Sequence, residues 1–319
     1  MKIVVTGSAG FIGSHLSERL IKQGHQILGI DNFDPFYDRK VKEANLRFLL
    51  SQPNFQFEEC DLVKAEGLPC VVTFKPDVIV HLAGKAGVRP SIDDPQGYID
   101  ANITATRNIL DVMRSSGIKK LVFASSSSVY GNSPLTPYRE DMDLSRPISP
   151  YAFTKKAAEL LNFTYHDLFK LDVVNLRFFT VYGPRQRPDL AIHKFVKLVK
   201  QGKAIPMFGD GSTSRDYTFY EDTVNGIVSA IDYVYSHDNV YDVFNLGNSN
   251  PVCLKDLIAA IGKATGIEPI ISPMLMQPGD VQITYADITR AKEILGYSPS
   301  TSIEQGLAKF VEWFDKQES

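Results

Sequence analysis

The chain has 319 residues, 44% of them hydrophobic and 22% charged, and its formal net charge is −3. These values are ordinary for a soluble globular protein and give no reason to expect a nucleic acid or a membrane surface as partner. Three cysteines without metal or redox spacing, and a first predicted strand that leaves no room for a signal peptide, lead us to expect a cytoplasmic protein without a bound metal.

The first 31 residues combine short apolar runs with closely spaced glycines. Residues 2–6 are apolar and β-branched, which predicts a buried parallel strand. Residues 11–21 have helical spacing of their apolar side chains, and residues 26–30 form a second apolar run that ends at Asp31. Three glycines connect the first strand to the helix in the pattern G-x-x-G-x-x-G: Gly7, Gly10 and Gly13.

This strand–turn–helix–strand unit has the parts that bind a dinucleotide. Glycine lets the backbone approach a pyrophosphate closely, and a helix N-terminus offers unpaired N–H groups to the phosphates. Asp31 lies 18 residues after Gly13, where its carboxylate can accept hydrogen bonds from ribose hydroxyls. The alternative is an ordinary βαβ unit with a glycine-rich turn, but the strand before, the helix after and the terminal acid together favour dinucleotide binding.

The next segment is more polar. Residues 32–50 predict a loop followed by a basic helix. This insertion could flank the adenosine or be a solvated helix, and we expect its lysines and arginines to be solvated. Residues 55–59 alternate like a strand, and Asp61 follows them. Because ligands bind at the carboxyl ends of strands in a doubly wound sheet, Asp61 is a candidate for the adenine amino group, with a loop-capping role as the alternative.

A further buried strand is predicted at residues 77–81. The small residues after it allow a close approach to a cofactor, and Lys85 and Arg89 add positive charge there. Residues 95–116 predict one long helix that contains Asn102, which is either a surface residue or a brace for the cofactor loop.

Serines and a Tyr-x-x-x-Lys pair flank a predicted loop. Residues 119–124 form a strand that leads directly into four serines at 125–128, and residues 132–150 are rich in proline, serine and acid. Pro150 opens a helix in which Tyr151 and Lys155 are four residues apart and therefore share one face.

These residue types suit the oxidation of an alcohol. A tyrosine near its free pKa of about 10 is a poor base at neutral pH, but a lysine one turn away, beside a cationic nicotinamide, stabilises the phenolate. A serine hydroxyl can position the same oxygen and relay its proton. Because Tyr-x-x-x-Lys is common on amphipathic helices, this interpretation depends on the serines and the glycine motif being present as well.

Strands and helices alternate up to a strand at residues 173–178, which predicts a parallel sheet covered on both faces. After residue 180 the alternation is less regular. Helices are predicted at about 190–201 and at 222–236, and residues 243–246 predict a strand that returns to the main sheet.

We therefore predict an α/β fold: a Rossmann-type doubly wound parallel sheet with a smaller, interleaved C-terminal α/β substrate domain. The nucleotide-binding domain covers residues 1–179, with 224–250 returning to it, and the second domain covers 180–223 and 251–319.

Several segments together resemble a known family. MKIVVTGSAGFIGSHL, Asp31-Asn32, HLAG, SSSSVYG and YAFTK are similar to the extended short-chain dehydrogenase/reductases of the nucleotide-sugar epimerase group. The later segments RFFTVYGPRQRPDLA, MFGDGSTSRDYTFYEDT and QPGDVQITYAD resemble UDP-glucuronate 4-epimerases more than UDP-glucose 4-epimerases. The resemblance implies a tightly held NAD, a UDP-sugar substrate, and a homodimer built on two long helices of each subunit.

The resemblance also implies roles for individual residues. The catalytic set would be Ser126, Tyr151 and Lys155, with Ser126 placed by counting back from VYG and with Ser125 and Ser127 as its neighbours. The implied cofactor contacts are Gly7, Gly10, Phe11, Ile12, Gly13, Asp31, Asn32, Asp61, Leu62, Leu82, Lys85, Asn102, Tyr151, Lys155 and Phe179. The candidates for substrate contacts are Arg89, Ser127, Thr180, Arg187, Arg215 and Asp280.

A uronic-acid substrate would need its carboxylate held firmly, because oxidation at C4 gives a β-keto acid that can lose carbon dioxide. Thr180 and Arg187 follow the last main strand and are suitable carboxylate donors, although Arg187 could instead pair with Asp189 on a surface loop. Arg215 is the candidate for the diphosphate and Asp280 for the ribose of UDP.

The predicted function is therefore NAD-dependent epimerisation at C4 of a UDP-sugar, from UDP-glucuronate to UDP-galacturonate, through a 4-keto intermediate. The alternatives are UDP-glucose epimerisation and UDP-glucuronate decarboxylation, and the serine cluster lacks the acidic residue expected for decarboxylation. A non-catalytic, redox-sensing NAD-binding scaffold is the alternative from another class. The intact set of Ser126, Tyr151 and Lys155 argues against it.

Overall fold

The computed structural model describes residues 1–64, 68–275 and 281–318. The elements of its first half are β1 Lys2–Thr6, α1 Phe11–Lys22, β2 Gln26–Asp31, α2 Arg39–Leu46, β3 Phe55–Glu59, α3 Pro69–Phe74, β4 Val78–His81, α4 Val88–Asp93, α5 Pro95–Ile99, α6 Ala105–Ser116, β5 Lys120–Ser126, α7 Pro150–Phe169 and β6 Asp172–Phe178. Those of its second half are β7 Thr180–Tyr182, α8 Ala191–Lys200, β8 Ile205–Phe208, β9 Ser214–Phe219, α9 Tyr220–Ser236, β10 Tyr241–Leu246, β11 Pro251–Cys253, α10 Leu254–Thr265, β12 Ile271–Met274, α11 Thr289–Leu295 and α12 Ile303–Glu318.

The main sheet has seven strands in the order β10-β6-β5-β4-β1-β2-β3, and every neighbouring pair is parallel. The direction of winding reverses beside β1, which pairs with β2 on one side and β4 on the other. In such sheets the reversal opens a crevice at the carboxyl ends of the strands, where ligands bind. The predicted Rossmann-type doubly wound sheet is confirmed.

Alternate side chains of the strands enter two separate hydrophobic cores. In β1, Ile3 and Val5 belong to one core, together with Leu16 of α1 and Ile227 of α9. Val4 belongs to the other core, on the opposite face of the sheet, with helix α6. Because both faces are covered, the central strands β1 and β4 are nearly continuous apolar runs, whereas the edge strand β3 alternates.

The second unit has its own small sheets and core. Strands β11, β9 and β7 form a three-stranded sheet, and β12 pairs with β8. Its core contains side chains from helices α8, α10 and α12, among them Phe195, Leu257 and Phe310. Strand β10 pairs with β6 of the main sheet, where a returning strand was expected. The exact domain limits remain a prediction.

Two segments differ from the predicted elements. The helix expected over residues 95–116 is interrupted by a π-helical turn at Asp100–Thr104, which separates α5 from α6. Residues Pro251–Cys253, for which no strand was predicted, pair with β9 as an antiparallel strand. Among the described residues, no helix is both long and apolar enough to cross a membrane.

Candidate active site

A cavity opens at the carboxyl edge of the main sheet. All the residues implied as cofactor contacts line it except Asn102: Gly7, Gly10, Phe11, Ile12, Gly13, Asp31, Asn32, Asp61, Leu62, Leu82, Lys85, Tyr151, Lys155 and Phe179. Ser126, Thr180 and Arg187 line the same cavity. The structure thus brings together residues that are up to 180 positions apart in the sequence. Their direct contacts with a cofactor or substrate remain predictions.

The glycine turn leaves no room for larger residues. Gly7 has φ +71°, and a Cβ there would lie 2.9 Å from the amide nitrogen of Ala83. A Cβ at Gly13 would overlap the carbonyl oxygen of Gly7. The backbone N–H of Gly7 donates to the carbonyl of Ile30 at 2.7 Å, which fixes the turn against β2. This close packing brings the N-terminus of α1 to the cavity wall.

Asp31 is held by backbone donors and one buried cation. Its Oδ1 accepts from the N–H of Phe33 at 2.9 Å, and its Oδ2 accepts from the N–H of Ala9 at 3.2 Å. The Nζ of Lys42 lies 3.6 Å from Oδ1, and both side chains are only 7% exposed. The expectation that the basic helix is solvated is therefore wrong for Lys42.

The burial of Lys42 has a local explanation. Lys42, Asn45 and Leu46 are three and four residues apart and form the buried face of α2. The Nζ of Lys42 also donates to the carbonyl of Asp34 at 3.1 Å. The i, i+3, i+4 spacing was the sequence signal that could have identified this face.

Asn102 does not line the cavity but binds the loop that does. Its Oδ1 accepts from the N–H of Lys85 at 2.9 Å, and its Nδ2 donates to the carbonyl of Lys85 at 3.0 Å and to Thr154 Oγ1 at 3.0 Å. The side chain therefore ties the loop after β4 to α7, as a brace would. It is not part of the cavity lining.

Tyr151, Lys155 and Ser126 meet at the cavity. The side chain of Ser149 caps α7 by accepting from the N–H of Ala152 at 3.1 Å, and Tyr151 begins the first turn of that helix. Ser126 and Tyr151 line the cavity together with Lys155. The Nζ of Lys155 donates to the carbonyl of Ala124 at 2.8 Å. This is the arrangement expected of a base, its positioning hydroxyl and a neighbouring cation.

Burial dominates the protonation of the pair. It raises the pKa of Tyr151, while the hydrogen bond from Ser126 and the charge of Arg187 act in the opposite direction. Burial lowers the pKa of Lys155 to about 8, which the nearby Glu159 carboxylate opposes. The net effect of the chain's own groups is therefore a raised pKa of Tyr151. From the sequence, the pKa of Tyr151 was expected to be lowered by Lys155 and by an oxidised nicotinamide. The positive charge of the nicotinamide comes from outside the chain.

The serines have different partners. Ser125 Oγ donates to Glu159 Oε1 at 2.6 Å, and Glu159 forms a buried ion pair with Arg177 at 2.9 Å. Ser126 Oγ accepts from the N–H of Ser128 at 3.1 Å, and its side chain acts to lower the pKa of Tyr151. Ser127 begins a short 3-10 turn and is not among the residues of the cavity wall. Ser125 also lines the cavity, but its hydroxyl is bonded to Glu159, so the prediction that Ser126 acts with Tyr151 stands as a prediction.

Arg187 pairs with Asp189 and also lines the cavity, so it fits both alternatives considered from the sequence: the ion pair and a role in binding the carboxylate. Its Nε and Nη2 donate to the two carboxylate oxygens of Asp189 at 3.0 and 2.8 Å. Its Nη1 donates to the carbonyl of Ala86 at 3.1 Å, and its guanidinium lies 4.8 Å from the ring centre of Phe36. Because Arg187 also lines the cavity beside Thr180, the ion pair does not remove it from the site.

Among the described residues, the substrate candidates Arg89 and Arg215 are not part of the lining of this cavity. Arg89 packs its guanidinium 5.5 Å from the ring centre of Phe208, in the second unit. Arg215, on β9, donates from Nη1 to the carbonyl of Ser214 at 2.9 Å. Asp280 lies outside the described residues.

Comparison with known proteins identifies the family. Residues 4–310 match the family model described as GDP-mannose 4,6-dehydratase. The chain belongs to this family. Within it, the chain is 41% identical to a UDP-glucuronate 4-epimerase of Thermodesulfobacterium geofontis, over 97% of this chain and 95% of that one. It is 37% identical to a probable UDP-glucuronate 4-epimerase of Rhizobium meliloti, over 99% of this chain and 97% of that protein.

Solved structures give the same result. A UDP-glucuronic acid 4-epimerase of Bacillus cereus, in complex with UDP-glucuronic acid and NAD, matches with a TM-score of 0.94 and 35% identity over 99% of this chain and 100% of that one. A UDP-glucose 4-epimerase of Thermotoga maritima matches with a TM-score of 0.90 and 30% identity over 100% of both chains. The predicted membership of the NAD-dependent nucleotide-sugar epimerases is confirmed.

In this nucleotide-sugar epimerase, sequence analysis missed part of the cavity wall. Phe36, Tyr37 and Lys42 line the cavity from the segment between β2 and α2. The ring of Tyr37 lies 5.0 Å from the Nζ of Lys42. The aromatic residues that follow Asp31 in the sequence DNFDPFYD were the available signal, but a loop has no periodicity that shows which side chains turn inward.

Proposed function

We propose that this chain is an NAD-dependent 4-epimerase that converts UDP-glucuronate to UDP-galacturonate through a transient 4-keto sugar. The observation that carries the proposal is a single cavity that is lined by Ser126, Tyr151 and Lys155 together with the glycine turn, Thr180 and Arg187. Relatives that share more than a third of their residues with this chain are described as UDP-glucuronate 4-epimerases.

The residues present fit NAD. A Cβ at Gly7 or Gly13 would meet backbone atoms, so these glycines keep a cradle open beside the N-terminus of α1, where a pyrophosphate is stabilised. Asp31 lies on the same wall and offers carboxylate oxygens to the hydroxyls of a ribose. When bound, NAD supplies reversible hydride acceptance at C4 of the sugar.

Tyr151 is the proton-transferring group. Its phenolate takes the proton of the C4 hydroxyl during oxidation, and the resulting phenol returns that proton to the C4 oxygen after the keto sugar has turned its other face to the cofactor. Ser126, which lines the same cavity and acts on the pKa of Tyr151, is placed to orient the phenolic oxygen by a hydrogen bond. Lys155, cationic below its pKa of about 8, favours the phenolate.

Arg187 and Thr180 hold the C5 carboxylate. A guanidinium and a hydroxyl make charge-assisted hydrogen bonds to a carboxylate, and both side chains line the cavity on the side of β7. Holding the carboxylate keeps the bond between C5 and the carboxyl carbon out of alignment with the π system of the C4 ketone. This prevents loss of carbon dioxide. Arg89, Arg215 and Asp280, which belong to other segments, are proposed to contact the UDP part of the substrate.

We further propose a cytoplasmic homodimer in which α7 forms part of the interface. Helix α7 carries a row of exposed large apolar side chains: Phe153, Leu160, Phe163 and Leu168. Sedimentation analysis should show a dimer for the native chain and a monomer for Leu160→Glu. Leu135→Glu, which changes an exposed leucine outside this helix, is the control and should remain a dimer.

The activity is tested by product analysis. The purified protein should contain bound NAD, and NMR of a reaction with UDP-glucuronate should show UDP-galacturonate with conservation of the carboxyl group. Release of carbon dioxide as the main reaction would indicate a decarboxylase. Turnover of UDP-glucose in preference to UDP-glucuronate would contradict the substrate assignment, and absence of turnover across a panel of UDP-sugars would contradict the enzymatic proposal.

A further inference from the structure

His81, the last residue of β4, is a buried titratable residue that the proposed chemistry does not use. It is only 1% exposed. Its Nδ1 lies 2.7 Å from Thr6 Oγ1, and its Nε2 lies 3.1 Å from Thr106 Oγ1. The imidazole therefore connects the end of β1 to the first turn of α6, across the interior of the molecule.

The network determines which nitrogen carries the proton. The hydroxyl of Thr106 donates to the carbonyl of Asn102 at 2.7 Å, so its oxygen must accept from Nε2–H of His81. Burial lowers the pKa of His81 to about 3, and the ring is therefore neutral with one N–H. Its Nδ1 then accepts from Thr6 Oγ1, which in turn accepts from the N–H of Ala83 at 3.1 Å. His81 thus donates one hydrogen bond, from Nε2–H to Thr106, and accepts one, at Nδ1 from Thr6.

The two ends of this link are both next to the active site. Thr6 immediately precedes the Gly7 turn. Asn102 lies in the π-helical turn, a type of helix irregularity that is frequent at functional sites. Its side chain holds both backbone polar groups of Lys85 and the hydroxyl of Thr154, which is adjacent to Lys155.

The space around the loop is tight. A Cβ at Gly84 would lie 2.6 Å from Asn102 Oδ1 and 3.5 Å from Lys155 Nζ. A shift of the π-helical turn would therefore move the loop at residues 83–85, which lines the cavity beside Lys155.

We propose that His81 is a positioning residue that holds the π-helical turn at a set distance from the Gly7 turn, and so sets the loop at residues 83–85 against Lys155. His81 does not touch substrate or cofactor in this role. It acts through Thr106 and Asn102 on one side and through Thr6 and Ala83 on the other. The kinetic part of its test rests on the proposed epimerase function, but the cofactor part does not.

The test uses two matched pairs of variants in the holoenzyme. His81→Leu removes both hydrogen bonds, and His81→Gln restores one donor and one acceptor. Thr106→Val removes the hydroxyl with little change of shape, and Thr106→Ser keeps it. Thr106 lies outside the cavity lining, so its variants change the link and leave the proposed binding groups in place.

We expect His81→Leu and Thr106→Val to lower kcat by roughly ten- to a hundred-fold, because a misplacement of about 1 Å in a site costs about that much. KM for UDP-glucuronate should stay within about two-fold, since the UDP contacts proposed above belong to other segments, and the variants should lose NAD faster on gel filtration. His81→Gln and Thr106→Ser should recover most of both losses.

Thermal melting of each variant separates this role from a purely structural one. If Thr106→Val and His81→Leu melt at lower temperature yet keep native kcat and native NAD retention, the proposal is overturned. Should His81→Leu not fold, the Thr106 pair decides alone. If the native protein has no epimerase activity, the proposed function fails, but the NAD test still decides the positioning role. Faster NAD loss in Thr106→Val but not in Thr106→Ser supports that role. Equal loss in both variants overturns it.

Discussion

Arg187 and Asp189 form a two-point ion pair at the cavity wall, with Nε to Oδ1 at 3.0 Å and Nη2 to Oδ2 at 2.8 Å. The guanidinium is 16% exposed and the carboxylate 44%. A substrate carboxylate that binds Arg187 must therefore share it with Asp189 or displace it, while Nη1 stays bonded to the Ala86 carbonyl. Asp189 therefore both orients Arg187 and competes with a substrate carboxylate for it.

Replacing Arg187 should affect affinity and product together. Arg187→Ala should weaken UDP-glucuronate binding by about ten- to a hundred-fold, since a hydrogen bond to a charged group contributes about 1.5–3 kcal/mol, and should leave UDP binding nearly unchanged. The fraction of turnovers that release carbon dioxide should rise. Calorimetry and NMR of the products measure both effects.

Asp189→Asn is the matched control for this prediction. It removes the competing charge and keeps the side-chain shape, so UDP-glucuronate should bind as well as before or more tightly. Unchanged affinity and unchanged product partition in both Arg187→Ala and Thr180→Ala would show that these residues do not hold the carboxylate.

Ser125 and Ser126 should behave differently when replaced by alanine. Ser126→Ala should lower kcat, by up to the ~10²–10⁴-fold typical of acid–base groups, because Tyr151 loses its positioning partner. Ser125→Ala should keep the rate but lose about 1–3 kcal/mol of stability, because the buried Glu159 carboxylate loses a donor. Rate assays and urea unfolding of the two variants separate these effects. The reverse pattern would assign the catalytic role to Ser125.

Tyr151→Phe should abolish turnover while NAD and UDP remain bound. Only the phenolic oxygen is removed, and that oxygen both transfers the proton and orients the reacting hydroxyl, so the loss should exceed about 10²–10⁴-fold. The ring contact with Tyr98, at 6.0 Å between centres, should be preserved. NAD content and UDP titration serve as controls, and a near-normal rate would mean that another group is the base.

NAD should bind more tightly than NADP, because the Asp31 carboxylate would repel a 2′-phosphate. The neighbouring Lys42 makes this prediction sharper. Asp31→Asn should reduce the preference, since Lys42 is then free to attract the phosphate, and Lys42→Met in addition should weaken NADP again. Cofactor titrations of these variants measure the ratio. Equal or tighter binding of NADP by the native protein would refute the assignment.

The alternation of strands and helices, the glycine turn and the Tyr151–Lys155 spacing were all readable from the sequence. Each is a local pattern: strand and helix periods decide which side chains share a face, and only glycine permits the backbone approach seen at Gly7. For the same reason Asp31 and Asp61 were expected at strand ends, and both line the cavity.

Other features depended on contacts between distant segments. Four consecutive serines are equivalent in the sequence, and Glu159, 34 residues away, distinguishes Ser125 from Ser126. Asn102 braces a loop 17 residues away, and Arg187 is bonded to Ala86, 101 residues away. Lys42 is buried because the inner face of α2 packs over Asp31. Periodicity predicts which side chains share a face but not which segment packs against that face. The packing partner decides which side chains are buried or hydrogen-bonded, and therefore which are free to act.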